Sequence, residues 1–318
     1  VYSPLPEKSR LSPAPHIRSG FSTNKMMLIT LATLLLPAAA GVFNYGFRAL
    51  AILGVCLASG LAADNICARL RGKSWRLEPS TLISSLLLAL ILPPALPLWM
   101  AGLGVFFAIA IVKEAFGGLG QNIFNPALGA RAFLLASFAL PMSQWIEPSG
   151  FSADAVTSAT PLVSGFTSSL PASELLWGLF TGSVPGFIGS GALFIIIGGL
   201  VLLLTGVIDF KAPLGYMGAV VVTSLLFGEN PLFHLLAGGV VFAAFYFVTD
   251  PVTTPLYWPG KVVFAIGAGI LTILIRQLGN APDGVAYAVL IMNAVTPLID
   301  RYIKPRPMGV TRVNRNAV

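Results

Sequence analysis

Three polar stretches interrupt an otherwise oily chain, and their residue types are those that hold ligands or ions. The stretch "GGLGQNIFNPALGAR" (117–131) sets two amides, Asn122 and Asn125, at a break between apolar runs. The stretch "VTDPVTTPLYWPGK" (248–261) supplies Asp250 with Thr253 and Thr254, beside Tyr257 and Trp258. A third, "DAVTSATPL" (154–162), gathers Asp154, Thr157, Ser158 and Thr160 inside the longest polar interval. Amides beside unwound backbone offer donors and acceptors to a ring-shaped ligand or an ion, and such backbone is tolerated at membrane depth only where it is buried or lines a cavity. A carboxylate with hydroxyls and free carbonyls makes the Asp250 break the better place for an ion path. Each stretch also has a plainer role. Asn125 precedes Pro126 and suits a helix N-cap. Asp250 suits a cap within an interfacial aromatic belt, and Asp154 with its hydroxyl neighbours suits an Asx-turn or a cap.

The elements that must position these residues follow from composition. Of 318 residues, 56% are hydrophobic and 10% charged, against about 25% charged in an average soluble domain. The apolar excess comes in runs long enough to span a bilayer, which takes about 20 residues. Runs such as "GALFIIIGGLVLLLTG" (191–206) do not alternate, which excludes a β-barrel. The chain therefore reads as an all-α polytopic membrane protein. Its net charge of +7 fits basic residues kept in cytoplasmic loops. No basic face is interleaved with aromatics, so a nucleic-acid partner is not expected, and membrane lipid is. Cys56 and Cys67 fall on one helix about 16 Å apart, too far for a disulfide. No Walker loop, dinucleotide fingerprint or Cys/His metal constellation is present, so the chain is not expected to bind ATP, NAD or a metal.

Apolar segments lie near 26–45, 49–68, 79–96, 97–115 and 126–141. After the polar interval come 175–207 (broken by Gly and Pro), 213–228, 231–248, 261–278 and 284–300, which makes about ten transmembrane helices. With the N-terminus inside, all 19 Lys and Arg except Arg48 and Arg276 fall on the cytoplasmic side. Both termini are then cytoplasmic and the 142–174 interval is external. The stretches beginning at Pro97 and Pro255 share an order: Pro-Leu, an aromatic, a Gly-containing span, a break at Leu-Gly with Asn close behind, then a second helix. They run in opposite directions, so the chain divides into two inverted five-helix repeats. The expected organisation is a cytoplasmic N-terminal segment (1–25), a first repeat (26–141), the external interval (142–174), a second repeat (175–300) and a basic cytoplasmic tail (301–318). Lys113, Glu114 and Arg131 adjoin the first break and are expected to form a salt-bridged plug.

The external stretch resembles the flavinylation motif of the RnfD and NqrB membrane subunits, carried here by Asp154, Thr157, Ser158, Ala159 and Thr160. "SPAPHIR" (12–18) and "GGLGQNIFNPALGARAFL" (117–134) are similar to other stretches of that family, and the length resembles the RnfD type. The resemblance implies FMN joined to Thr160 by a phosphoester, Ser158 standing as a second candidate hydroxyl where the family often has Gly. It also implies a non-covalent riboflavin among the helices, for which Asn122, Asn125 and Asp250 are the candidate contacts. By the same resemblance, the chain is a bacterial inner-membrane electron-carrier subunit of an Rnf complex. That complex couples electron transfer between ferredoxin and NAD to Na⁺ or H⁺ movement, and its subunits and a flavin transferase are the implied partners. An external FMN cannot meet cytoplasmic ferredoxin, so partner subunits must carry electrons across and no complete activity is expected of this chain alone. The competing readings are an NqrB-type subunit of a Na⁺-translocating NADH:quinone reductase and a channel or transporter with an inverted-repeat fold.

Overall fold

A computed structural model describes residues 22–72, 74, 77–151, 157–158, 171–279 and 284–304. Asp154 and Thr160 lie outside the described residues, and of Thr157 and Ser158 only the backbone is described. The first helix, α1 (Thr23–Leu70), starts where the Ser22 hydroxyl accepts from the Lys25 amide, 3.3 Å away. It is broken at Gly46, whose φ of 59° and ψ of −141° leave the helical region. Glycine is required there: a Cβ would run into the Gly150 carbonyl. The kink folds α1 into two arms of about 35 Å each at 1.5 Å per residue.

Proline and asparagine set the next starts. α2 (Pro79–Ile91) begins with proline at its first position, and α3 (Leu98–Phe107) follows Pro97 and passes into a π-helical stretch, π1 (Ala108–Glu114). Asn125 caps α4 (Pro126–Ser137), which is followed by the short α5 (Ala139–Met142). Two brief strands, β1 (Trp145–Ile146) and β2 (Thr157–Ser158), pair antiparallel, with Trp145 opposite Ser158. Then come α6 (Ala172–Thr181), α7 (Ala192–Leu204), α8 (Lys211–Leu226) and α9 (Pro231–Leu236). The last elements among the described residues are α10 (Val240–Phe242), π2 (Ala243–Phe247), α11 (Trp258–Leu278) and α12 (Gly284–Tyr302). Among the described residues, α1 and α11 are long and apolar enough to cross a membrane by themselves.

In the first half α2 and α3 pack on α1, and α7 of the second half joins them there; α8 and α12 pack on α11. Glycine allows the closest approaches: a Cβ on Gly269 of α11 would stand 2.7 Å from both the Tyr216 carbonyl oxygen and Ala219 Cβ of α8.

Two helices end inside the protein, where their terminal carbonyls need partners. α2 stops at Ile91 ahead of Pro93 and Pro94. Leu90 O accepts from the Gly189 amide (2.8 Å), Leu92 O from Ile188 (3.1 Å), and Ile91 O from the Arg131 guanidinium. Arg48 donates to Pro94 O (2.8 Å) and Ala95 O (2.9 Å) just beyond. α9 stops at Leu236, and Arg276 donates to the carbonyls of His234 (3.0 Å), Ala237 (3.0 Å) and Gly238 (3.2 Å). Residues 175–207 are broken as their glycines and proline suggest: α6 ends at Thr181, Gly182 takes a φ of 86°, and α7 resumes at Ala192. The break, 182–191, docks its backbone on the end of α2. Two other expectations change. The interval 142–174 carries a strand pair and the start of α6 rather than loop alone. Arg131 does not join Lys113 and Glu114, because a buried carbonyl at the end of α2 claims its guanidinium.

Candidate functional site

The two helix breaks meet although their polar residues stand 125 positions apart in the chain. Asn125 is 2% exposed and its two side-chain atoms do different work. Oδ1 accepts from the amides of Ala127 (3.1 Å) and Leu128 (3.3 Å), closing the start of α4. Nδ2 donates to Asp250 Oδ2 at 2.8 Å. Asp250 collects two more donors: Thr253 Oγ1 on Oδ2 (3.0 Å) and the Val252 amide on Oδ1 (3.1 Å). Thr254 Oγ1 donates to the Asp250 carbonyl at 2.6 Å. A carboxylate accepts on both oxygens, and the turn after π2 is built around that property.

Asn293 of α12 locks the two breaks together. With its side-chain amide assigned the orientation that satisfies both neighbours, its oxygen accepts from the Asn125 backbone N–H (3.1 Å) and its nitrogen donates to Thr253 O (3.2 Å). Thr296, one turn along the same helix, donates to Thr253 O as well (3.1 Å). Asn293 is 1% exposed, and sequence reading missed it. The signal that pointed to it was a lone amide in the apolar run "AVLIMNAVTPL", since a buried amide needs partners.

Asn122, Asn125 and Asp250 all line one cavity of about 380 Å³. Ile83, Leu87, Leu202 and Phe245 supply apolar wall, and Ser80, Ser84 and Lys113 bring further polar groups. Asn122 donates to Phe124 O at 2.9 Å, holding the turn ahead of α4. The volume falls at the lower end of the roughly 300–1,000 Å³ usual for small-molecule sites, and oily walls with a few placed polar groups are the usual lining.

Lys113 and Glu114 close π1 in a charged cluster drawn from other elements than expected. Glu114 pairs with Arg71 at the end of α1 (2.8 Å). Lys113 Nζ reaches Ser80 Oγ (2.8 Å), Thr81 Oγ1 (2.9 Å), Glu78 Oε2 (3.4 Å) and Glu114 Oε1 (3.6 Å). An i→i+5 turn takes in an extra residue, and such turns gather at functional sites; π1 runs into the first break and π2 ends just before Asp250.

The strand pair lies at the other end of the first arm of α1. The Gly150 amide donates to Asn44 O (2.9 Å) and Phe151 meets Phe47 edge-on, ring centres 5.1 Å apart, so this segment sits on the Gly46 kink. The cavity instead touches Thr23, Met26 and Thr30, and from Thr30 to Gly46 the helix rises about 24 Å. Of the expected site residues, the structure joins Asn122, Asn125 and Asp250. Thr157 and Ser158 belong to a remote segment, and Asp154 and Thr160 fall outside the described residues.

Residues 10–309 match the family described as NQR2, RnfD, RnfE. One subunit of the Na(+)-translocating ferredoxin:NAD(+) oxidoreductase complex of Acetobacterium woodii is 40% identical, the match covering 96% of this chain and 97% of that one. The corresponding subunit of the proton-translocating ferredoxin:NAD(+) oxidoreductase complex of Clostridium ljungdahlii is 38% identical over 95% and 96% of the two chains. Its counterpart in the ion-translocating oxidoreductase complex of Stutzerimonas stutzeri is 37% identical over 91% and 92%.

Proposed function

This chain belongs to the NQR2, RnfD, RnfE family, and on that premise we propose that it is the membrane electron-carrier subunit of an Rnf-type complex. The complex would pass electrons between ferredoxin and NAD and couple their transfer to Na⁺ or H⁺ movement, with the other Rnf subunits as partners. Similarity, along almost the entire chain, to relatives named as subunits of such complexes carries the reading. Relatives named for Na⁺ and for protons resemble it about equally, at 40% and 38% identity, so ion choice rests on individual residues rather than on the fold.

The proposed architecture has ten spans: the two arms of α1, α2, α3 with π1, and α4 with α5, then α7, α8, α9 through π2, α11 and α12. Each set of five contains one half-length helix with an arginine on its buried end, α2 with Arg131 and α9 with Arg276. That correspondence supports two inverted repeats. The proposed orientation keeps both termini and the open ends of α1 on the cytoplasmic face of a bacterial inner membrane. The Gly46 kink and the strand pair then face outside.

Two flavins complete the proposal. FMN is carried on Thr160 through a phosphoester after the action of a flavin transferase, the hydroxyl replacing water on the phosphate. A non-covalent riboflavin lies in the 380 Å³ cavity. The residues there fit an isoalloxazine: apolar wall for its faces, with amide and carboxylate groups of Asn122, Asn125 and Asp250 for its polar edge. Bound there, the flavin supplies the electron chemistry, and the protein supplies position and tuning. Asn125 and Asp250, each pinned by its own hydrogen bonds, hold that edge without further ordering cost. Flavin fluorescence of the denatured chain and mass analysis of the peptide around Thr160 test the covalent site. A Thr160→Ala chain co-produced with its transferase is expected to lose the covalent flavin while keeping an extractable one. Unmodified Thr160 in the wild-type chain sinks the first assignment, and no extractable flavin sinks the second.

A further inference from the structure

The flavin reading leaves one charged cavity residue without a role. Lys113 is 2% exposed and lines the cavity beside Ser80 and Ser84. Burying an ammonium costs several kcal/mol unless partners compensate it, and Lys113 is not needed to neutralise its neighbour. Glu114 already holds Arg71 at 2.8 Å. What Lys113 does have is a connected route to water. Its Nζ lies 2.8 Å from Ser80 Oγ, Ser80 Oγ lies 3.3 Å from Glu78 Oε2, and Nζ itself is 3.4 Å from that oxygen. The Glu78 side chain is 49% exposed. An unbroken chain of ionisable and hydroxyl groups therefore joins the surface to the cavity wall. The charged groups facing Lys113 are Glu78 ahead of α2, Glu114 on its own helix with Arg71, just past α1, behind it, and Asp250 on the same cavity.

We infer that Lys113 delivers the proton that accompanies electron arrival in the cavity, and that Glu78 and Ser80 resupply it from water. The inference rests on the proposed flavin occupancy. Electrons come from the ferredoxin side of the complex. With a flavin bound, Lys113 Nζ would give up one N–H bond for each proton that the reduced ring takes up. Water first protonates the Glu78 carboxylate; the Ser80 hydroxyl, which at rest accepts from Lys113 and donates to Glu78, then turns to donate to the neutral amine while taking the Glu78 proton, which restores the ammonium and the carboxylate. The route is separate from the Asn125–Asp250 latch, so binding and proton supply fall on different residues.

The test uses the intact complex carrying Lys113→Met or Glu78→Gln, reduced rapidly in H₂O and in D₂O while flavin absorbance is followed. Extractable flavin is expected to stay at the wild-type level in both. Lys113→Met should slow the proton-linked phase by about 100-fold, within the span attributed to a positioned acid. Glu78→Gln should slow it less and enlarge the solvent isotope effect, because proton supply then limits the rate. Equal rates and isotope effects in all three proteins overturn the relay, as does a slower rate with an unchanged isotope effect, which marks a structural role. Glu78 is half exposed and its variant does not disturb the core, so it decides the matter if Lys113→Met fails to assemble. A wild-type chain without extractable flavin refutes the occupancy; flavin retained with an unchanged isotope effect refutes the relay alone.

Discussion

Replacing Asp250 by asparagine exchanges one oxygen for an amide and removes one charge, yet the surroundings have no place for a donor there. Three donors converge on the carboxylate: Asn125 Nδ2 at 2.8 Å, Thr253 Oγ1 at 3.0 Å and the Val252 amide at 3.1 Å. Asn125 cannot turn its amide to help, because its Oδ1 holds the first amides of α4. An asparagine at 250 must therefore aim its NH₂ at either Asn125 or Val252. Two bonds that survive fall from charge-assisted to neutral strength, about 1 kcal/mol each, and one donor-against-donor contact costs about 1–3 kcal/mol. A neutral side chain is easier to desolvate, which offsets part of this, leaving a net loss of about 2–4 kcal/mol. The expected drop in thermal midpoint is about 3–6 °C for a chain of this size, read in lipid nanodiscs with extractable flavin measured on the same samples. The exchange variant Asn125→Asp/Asp250→Asn restores an amide–carboxylate pair and keeps a good cap on α4. It should recover at least about 1 kcal/mol relative to the sum of the single variants, the range of coupling found for contacting residues. An Asp250→Asn chain as stable as wild type refutes the donor count. So does an exchange variant that shows no coupling.

Further outcomes follow from the same contacts. Gly269→Ala should cost about 1–3 kcal/mol by pushing a methyl into the α8 backbone 2.7 Å away. Gly218→Ala on α8 meets nothing within 4 Å and should be neutral or stabilising by up to about 1 kcal/mol; equal thermal midpoints for the two would contradict the α8–α11 packing. Arg276→Met strips three part-buried carbonyls of a donor and should destabilise by about 3–5 kcal/mol, measured as loss of folded protein on heating in detergent. Maleimide should label the native chain once, at part-exposed Cys67, and a second time at fully buried Cys56 only after denaturation; two rapid labels on the native protein would show that the α1 packing is wrong.

Local chemistry was legible in the chain itself. Asn125 ahead of Pro126 reads as a helix start, and the structure shows the cap; the polar residues at 122, 125 and 250 stand out from their oily surroundings without any coordinates. The kink between the first two apolar runs falls at a glycine, and the glycine and asparagine breaks stop helices because their residues tolerate or prefer non-helical backbone. What the chain could not state is which polar group answers which. Lys113, Glu114 and Arg131 lie close in sequence and read as one cluster. In space, Arg131 turns to the Ile91 carbonyl while Arg71 and Glu78 take its expected place. The reach of residues 182–191 to the end of α2, and of Asn293 to both breaks, is equally silent in the sequence. The reason is physical. Helix starts and stops depend on neighbours a few residues away, so they are written locally. Buried carbonyls and amides must find partners in a medium without water, and the nearest partner in space is set by how the helices pack. Tertiary structure alone therefore decided that Asn125 bonds directly to Asp250, and that Lys113 lines the same cavity.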